Sequence, residues 1–269
     1  MKHFFYVAPA WLVLIGSLHM ANVSIAVDLN AQETVTPEES KKTEERKPVH
    51  LEKLTIIFEG EEVLKQEGIH EWAGKAGKIV TECYPKFDKL LESEGYTPPK
   101  EMSIIFRKMA GVAFSTGTQI VISADWIKQQ PQDFGMVAHE LVHIIQRYPG
   151  GRGEGGAPGW VTEGIADYIR HAHFEPDVQM RPVNPTQIKY TDQYQITAGF
   201  FMWIEHIYDK EFVTKLNAHA RQRTYSDDLF EKYNGKNLDN LWAEYVEFLQ
   251  QQPGNTPRLK PSEVFNRKK

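Results

Sequence analysis

Hydrophobic and polar positions change their period several times along the chain, and each change marks an element. Residues 54–58 (Leu-Thr-Ile-Ile-Phe) and 103–107 (Ser-Ile-Ile-Phe-Arg) are short runs rich in β-branched and aromatic side chains, the pattern of strands. Residues 111–114 and 119–123 read the same way, and Gly117 between them suits the turn of a hairpin. Between the first two strands, Trp72, Ala76, Ile79, Val80, Phe87, Leu90 and Leu91 recur at helical spacing. They predict a helix over 67–94, with a break expected at Pro85 and an end at Gly95 and Pro98-Pro99. The clearest amphipathic pattern runs over 133–148, where Phe134, Val137, Leu141, Ile144, Ile145 and Tyr148 share one broad face. Asp133 stands where an N-cap is expected, and Pro149-Gly150-Gly151 stops the helix. A second helix over 160–172 turns Ile165, Tyr168 and Ile169 inward. From residue 195 the pattern is almost wholly helical, with Phe200, Phe201, Trp203, Leu241 and Tyr245 among the core candidates. Strands first and helices after make the expected fold class α+β.

Composition divides the chain further. A basic start at Met1-Lys2-His3, an apolar run over 4–15 and the small-x-small triplet Ser24-Ile25-Ala26 have the pattern of a secretory signal peptide over 1–26. An uncleaved anchor fits less well, because Ser17, His19 and Asn22 interrupt the apolar stretch. Residues 27–50 are polar and highly charged and read as a disordered linker, 51–250 as the folded domain, and 251–269 as a loose polar tail. The expected product is exported, secreted or periplasmic, with no stable membrane association after cleavage. The lone Cys83 cannot close an internal disulfide and reads as a buried thiol. A formal charge of -5 with no separate run of Lys and Arg argues against nucleic acid as a partner.

The chemistry concentrates in two segments. His139-Glu-Leu-Val-His143 lies inside the best helix, where a spacing of four puts both imidazoles on one face. Two such nitrogens can begin a zinc site that still needs a third ligand and an open position for water, and Glu140 can lean toward that water. Glu163 and Asp167, again four apart on a mostly apolar helix, supply the rest. Glu163 is the candidate third ligand, and Asp167 can accept a hydrogen bond from the other ring nitrogen of His139. Unpaired carboxylates on a helix this apolar would be costly. His70, His171, His173, His206 and His219 lack matched partners and read as surface or packing residues, with His171 and His173 on different helix faces.

His139, Glu140, His143 and Glu163, with Asp167 one turn later, have the spacing of the gluzincin metallopeptidases of the thermolysin type. More closely, residues 133–143 (Asp-Phe-Gly-Met-Val-Ala-His-Glu-Leu-Val-His) and 158–170 (Pro-Gly-Trp-Val-Thr-Glu-Gly-Ile-Ala-Asp-Tyr-Ile-Arg) resemble the plant basic secretory protein family and its bacterial relatives. Tyr96-Thr-Pro-Pro, Gly111-Val-Ala-Phe, Asn184-Pro, Lys189-Tyr-Thr-Asp and Tyr225-Ser-Asp-Asp-Leu-Phe are similar to that family too, so the resemblance covers residues 54–248. It implies a gluzincin-type α+β domain with one Zn2+ per chain that hydrolyses peptide or protein substrates, with Glu140 as the base. A tyrosine near residue 194 is similar to the family pattern, which makes Tyr194 the first candidate for the oxyanion donor and Tyr190 the second. One departure is charge: this chain is acidic. The alternative function is a secreted, non-catalytic zinc-containing binding or defence-type protein; retention of Glu140 favours hydrolysis, since a structural site needs only ligands. A glycan-binding role would need an exposed row of tryptophans, but Trp72, Trp126, Trp160 and Trp203 fall at core-like positions. By analogy with the wider class, residues 111–114 or 119–123 could form the cleft edge, and the Gly-rich stretch 150–159 reads as a rim or a plain connector.

Overall fold

The structure is a computed structural model that describes residues 46–149, 155–252, 254 and 256, together with residues 13–14 and 22–28. The signal sequence expected over 1–26, the linker over 27–50, the Gly-rich stretch 150–159 and the tail 251–269 lie largely or partly outside these residues.

Six strands form one sheet: β1 (Val13–Leu14), β2 (Asn22–Asp28), β3 (Lys53–Glu59), β4 (Glu101–Arg107), β5 (Ala113–Thr116) and β6 (Gln119–Ser123), in the order β1-β2-β3-β4-β6-β5. The pairs β3–β4 and β4–β6 are parallel, and the others are antiparallel. A parallel pair needs a long crossover. Between β3 and β4 that crossover is the one-turn α1 (Glu61–Leu64) and the long α2 (Ile69–Leu90). β5 and β6 close through a two-residue loop in which Gly117 has φ +58°, a left-handed value that glycine tolerates without strain. β5 is thereby left at the edge of the sheet.

The periodicity reading assigns no element to residues 22–28, yet β2 pairs with β3 from Asn22↔Glu59 to Asp28↔Lys53. Val23, Ile25 and Val27 are β-branched residues at alternate positions, a strand signal that a count of apolar residues does not weigh. Ordered chain also begins before residue 51. The carboxylate of Asp88, 1% exposed, accepts hydrogen bonds from Arg46 Nη2 and the Val49 amide, both at 2.7 Å, and docks residues 46–49 on α2.

Helix α2 does not break at Pro85. Tyr84 and Phe87, 0% and 1% exposed, hold it to the core on either side, and that packing outweighs the missing backbone bond. After β6 the chain turns through α3 (Ala124–Gln129), capped by the Ser123 hydroxyl, into α4 (Gly135–Gln146). Asp133 is not the cap of α4: Phe134 holds that position with no side-chain bond. The Asp133 carboxylate accepts instead from Trp126 Nε1 at 3.0 Å and Arg170 Nη2 at 3.2 Å, two donors half-buried beside it. Helix α4 packs on α2, β5 and β6.

The rest is helical: α5 (Gly159–Ile169) with a π-helical turn at Arg170–Phe174, a 3-10 turn at Tyr190–Asp192, then α6 (Tyr194–Ile207), α7 (Phe212–Gln222), α8 (Asp228–Asn234) and α9 (Leu238–Gln251). The fold is α+β. Helices α5 and α6 approach closely at Gly164, where a Cβ would lie 2.3 Å from Thr197 Cγ2. Phe200, Phe201, Phe212, Phe230 and Tyr245, each at most 0% exposed, fill the space behind them. Cys83 is buried and free, and Trp72, Trp160 and Trp203 are in the core. Among the described residues no helix is long and apolar enough to cross a membrane.

Candidate metal centre

Helix α4 is buried along almost its whole length, so its two histidines and Glu140 reach polar partners at only one place, a cleft between β5, α4, α5 and the start of α6. The cleft measures about 950 Å³. Its floor is His139, Glu140, His143, Glu163 and Asp167, so all five of the acidic and imidazole residues singled out above are brought together.

Three ligand-type atoms converge on one point. His139 Nε2 lies 3.1 Å from His143 Nε2 and 3.2 Å from Glu163 Oε2, and His143 Nε2 lies 3.4 Å from the same oxygen. The far side of each imidazole is engaged. His139 Nδ1 is 2.7 Å from Asp167 Oδ1, and His143 Nδ1 is 2.7 Å from Gln146 Oε1. Both outer partners are acceptors there, so each ring donates from Nδ1, and in its neutral form turns a bare Nε2 inward. Two lone pairs and a carboxylate then face one another with no donor among them, which is unfavourable until a cation enters. His139, His143 and Glu163 could hold a metal ion.

The electrostatics carry the same sign. Burial pushes His139 down, but its hydrogen bonds to Asp167 and Glu163 outweigh this and raise it to about 9. Burial pushes Glu163 up, and the hydrogen bonds from His139 and His143 reverse that and bring it to about 2. Glu140 is 9% exposed and faces the cleft beside His139.

Of the two candidate tyrosines, only Tyr194 lines the cleft. Its ring centroid is 6.0 Å from that of His139, it is 52% exposed, and its hydroxyl makes no hydrogen bond among the described residues. Gln193 and Tyr194 have φ of 65° and 50°, a left-handed pair without glycine, and this kink sends Tyr194 to the site at the start of α6. Burial raises its phenol, and Glu163, Asp167 and Glu140 raise it further. Tyr190 packs instead between Trp160 and Trp242, at 5.1 and 5.9 Å between centroids.

Three features of the site lie beyond the residues singled out in the sequence. Gln146 is 1% exposed and is the partner of His143. His171 lines the cleft with its side chain 10% exposed and its Nε2 3.9 Å from Asp167 Oδ2; burial lowers it to about 4. The far wall is the segment around Val178 to Arg181, clipped to α6 where the Gln195 amide bonds both the amide and the carbonyl of Arg181, at 3.0 and 3.3 Å. The one sequence signal for Gln146 is a buried-type position on α4 occupied by an amide, three residues after a candidate ligand. His173, by contrast, is exposed and turned from the floor, with its ring against Tyr168.

The family described as peptidase of plants and bacteria, BSP, matches residues 69–245, a span that includes every residue of the site. No curated protein and no solved structure matches the chain. The chain belongs to this family of peptidases of plants and bacteria.

Proposed function

We propose that this member of the family is an exported zinc metallopeptidase that hydrolyses peptide bonds. The observation that carries the reading is the triangle of His139 Nε2, His143 Nε2 and Glu163 Oε2, with edges of 3.1, 3.2 and 3.4 Å, opening on a cleft beside Glu140. Donors about 2.0–2.1 Å from a tetrahedral zinc lie about 3.3 Å apart, so the spacing of the triangle would suit that ion held by His139, His143 and Glu163. Three protein ligands with an open fourth place suit a hydrolytic site; a structural zinc is usually closed by four.

Bound there, zinc supplies Lewis acidity and a water of lowered pKa. The residues do the rest. Glu140 takes a proton from the attacking water on its carboxylate and passes it to the nitrogen of the leaving amine. Asp167 holds the Nδ1 proton of His139, which keeps Nε2 bare and the ring aligned. Tyr194 donates its phenolic proton in a hydrogen bond to the oxyanion; its unengaged hydroxyl and its place above His139 support that role. The outer edge of β5, with Phe114 42% exposed and no strand beyond it among the described residues, offers main-chain groups to an extended peptide. The leader-like pattern of residues 1–26 supports export, with the product secreted or periplasmic; cleavage after Ala26 would remove β1 and most of β2 from the sheet.

The test is metal content and peptide hydrolysis of the purified chain beside Glu140→Ala and Glu163→Ala. The expected result is one zinc and hydrolysis for wild type, zinc without hydrolysis for Glu140→Ala, and weakened zinc for Glu163→Ala. Zinc without hydrolysis across a broad peptide set would transfer the chain to the non-catalytic zinc-protein alternative, and absence of bound metal would sink the site. N-terminal sequencing of the exported product tests the leader.

A further inference from the structure

Gln146 is a buried amide at the last position of α4, and three independent bonds meet at it. Its Oε1 lies 2.7 Å from His143 Nδ1, its Nε2 donates to the Thr162 carbonyl at 3.1 Å, and its own carbonyl, with that of Ile145, accepts from the Arg221 guanidinium at 3.1–3.4 Å. The amide can sit only one way round. A carbonyl oxygen such as Thr162 O accepts and never donates, so the NH2 group must face it and Oε1 must face the imidazole. Facing an acceptor, His143 must place a proton on Nδ1, and in its neutral form its Nε2 is then left bare, pointing at His139 and Glu163. Asp167 does the same for His139. Gln146 differs from Asp167 in its second bond, which ties α4 to α5 at the residue just before Glu163. One amide therefore sets the tautomer of one ligand and the distance to the helix that carries another.

We propose that Gln146 is a positioning residue of the metal centre: it fixes His143 as the Nδ1–H tautomer and holds α4 and α5 in register at the ligand set. This rests on the reading of His139, His143 and Glu163 as metal ligands. Gln146 does not touch the reacting atoms; it acts through His143.

Gln146→Met separates this role from general packing. Methionine has nearly the same length and suits a buried position, while the Arg221 bonds go to main-chain carbonyls that the substitution leaves in place. Zinc affinity is measured by competition with a chromophoric chelator, and the tautomer of His143 by long-range 1H–15N correlation on the metal-free protein. Wild type is expected to show the Nδ1–H form at His143. Gln146→Met is expected to show mixed tautomers and to bind zinc 10- to 100-fold more weakly, the range for loss of a group that orients a ligand. If Gln146→Met fails to fold, Gln146→Glu takes its place: the carboxylate still accepts from Nδ1–H but sets an acceptor against the Thr162 carbonyl, so the tautomer stays and zinc affinity falls. Wild-type affinity in the variant, or the Nε2–H form of His143 in wild type, overturns the proposal. Zinc bound by wild type and by Gln146→Met alike defeats this inference alone; no zinc bound by wild type defeats the metal reading beneath it.

Discussion

Replacing Gly164 by alanine tests how tightly the two helices beneath the site are pressed together. A Cβ there would sit 2.3 Å from Thr197 Cγ2, 2.8 Å from Thr197 Cβ and 3.1 Å from Phe201 Cε2. Two effects oppose each other. Alanine in a helix interior is favoured over glycine by about 1 kcal/mol. Overpacking a filled core costs about 1–3 kcal/mol. The clash belongs at the upper end, because Thr197 is β-branched, 0% exposed and pinned by its hydroxyl bond to the Tyr190 carbonyl at 2.7 Å. The overlap cannot be relieved by swinging a flexible chain; α5 and α6 must separate. The net expectation is about 2 kcal/mol of lost stability, or a fall of roughly 4–8 °C in Tm for a domain of this size. Because Glu163 immediately precedes the glycine, metal affinity should fall with it. Thr197→Ser removes the offending methyl and keeps the hydroxyl. It should cost about 1 kcal/mol alone, yet it should recover part of the loss in the double variant, with about 1 kcal/mol of favourable coupling. Urea unfolding of the four proteins measures the cycle. A Gly164→Ala variant at least as stable as wild type, or strict additivity in the cycle, would refute the argument.

Asp167→Asn keeps the shape of the site but replaces the charged acceptor of His139 Nδ1; zinc affinity by chelator competition should fall 10- to 100-fold, and unchanged affinity would show that the 2.7 Å bond does not orient the ligand. Arg221 is 8% exposed and bonds the Leu91, Ile145 and Gln146 carbonyls and Ser93, with its guanidinium 3.8 Å above the Tyr96 ring. Arg221→Met should cost about 3 kcal/mol, read by urea unfolding, because those acceptors lose their donors; a loss under 1 kcal/mol would mean that water replaces the guanidinium freely. Burial raises Glu205 to about 7, against the lowering effect of its bonds from Tyr168 and the Val213 amide. A carboxyl raised in the fold contributes stability that is full below about pH 4.5 and is lost as pH rises to about 7, on the order of 3 kcal/mol in all. Wild type should therefore lose stability relative to Glu205→Gln across that window in unfolding measured at successive pH values, and parallel profiles would contradict the shift.

The parts of the site that the sequence makes legible share one property: each lies within a single helix. His139 and His143 are one turn apart on α4, Glu163 and Asp167 one turn apart on α5, and helical geometry alone puts each pair on one face. The strands 53–59 and 101–107 and the β5–β6 hairpin are legible for the same local reason. What escapes is set between elements or at an irregular turn. The cap expected at Asp133 is lost to Trp126 and Arg170, one of them 37 residues away along the chain. Only the resemblance ranks Tyr194 above Tyr190 in sequence, and the left-handed pair at 193–194 is what parts them in space. His171 reads as a surface or packing residue because no matched partner is sought for it, yet it stands one turn after Asp167 on the same face, and its Nε2 lies 3.9 Å from Asp167 Oδ2. Gln146 is the sharpest case, since its partners are His143 three residues before it and a carbonyl sixteen residues after it. The candidate ligands can thus be read from one helix at a time, whereas Gln146, which bonds one of them and Thr162 of α5, belongs to the crossing of α4 and α5. Substitutions at that crossing should weaken metal binding while leaving the motif itself intact.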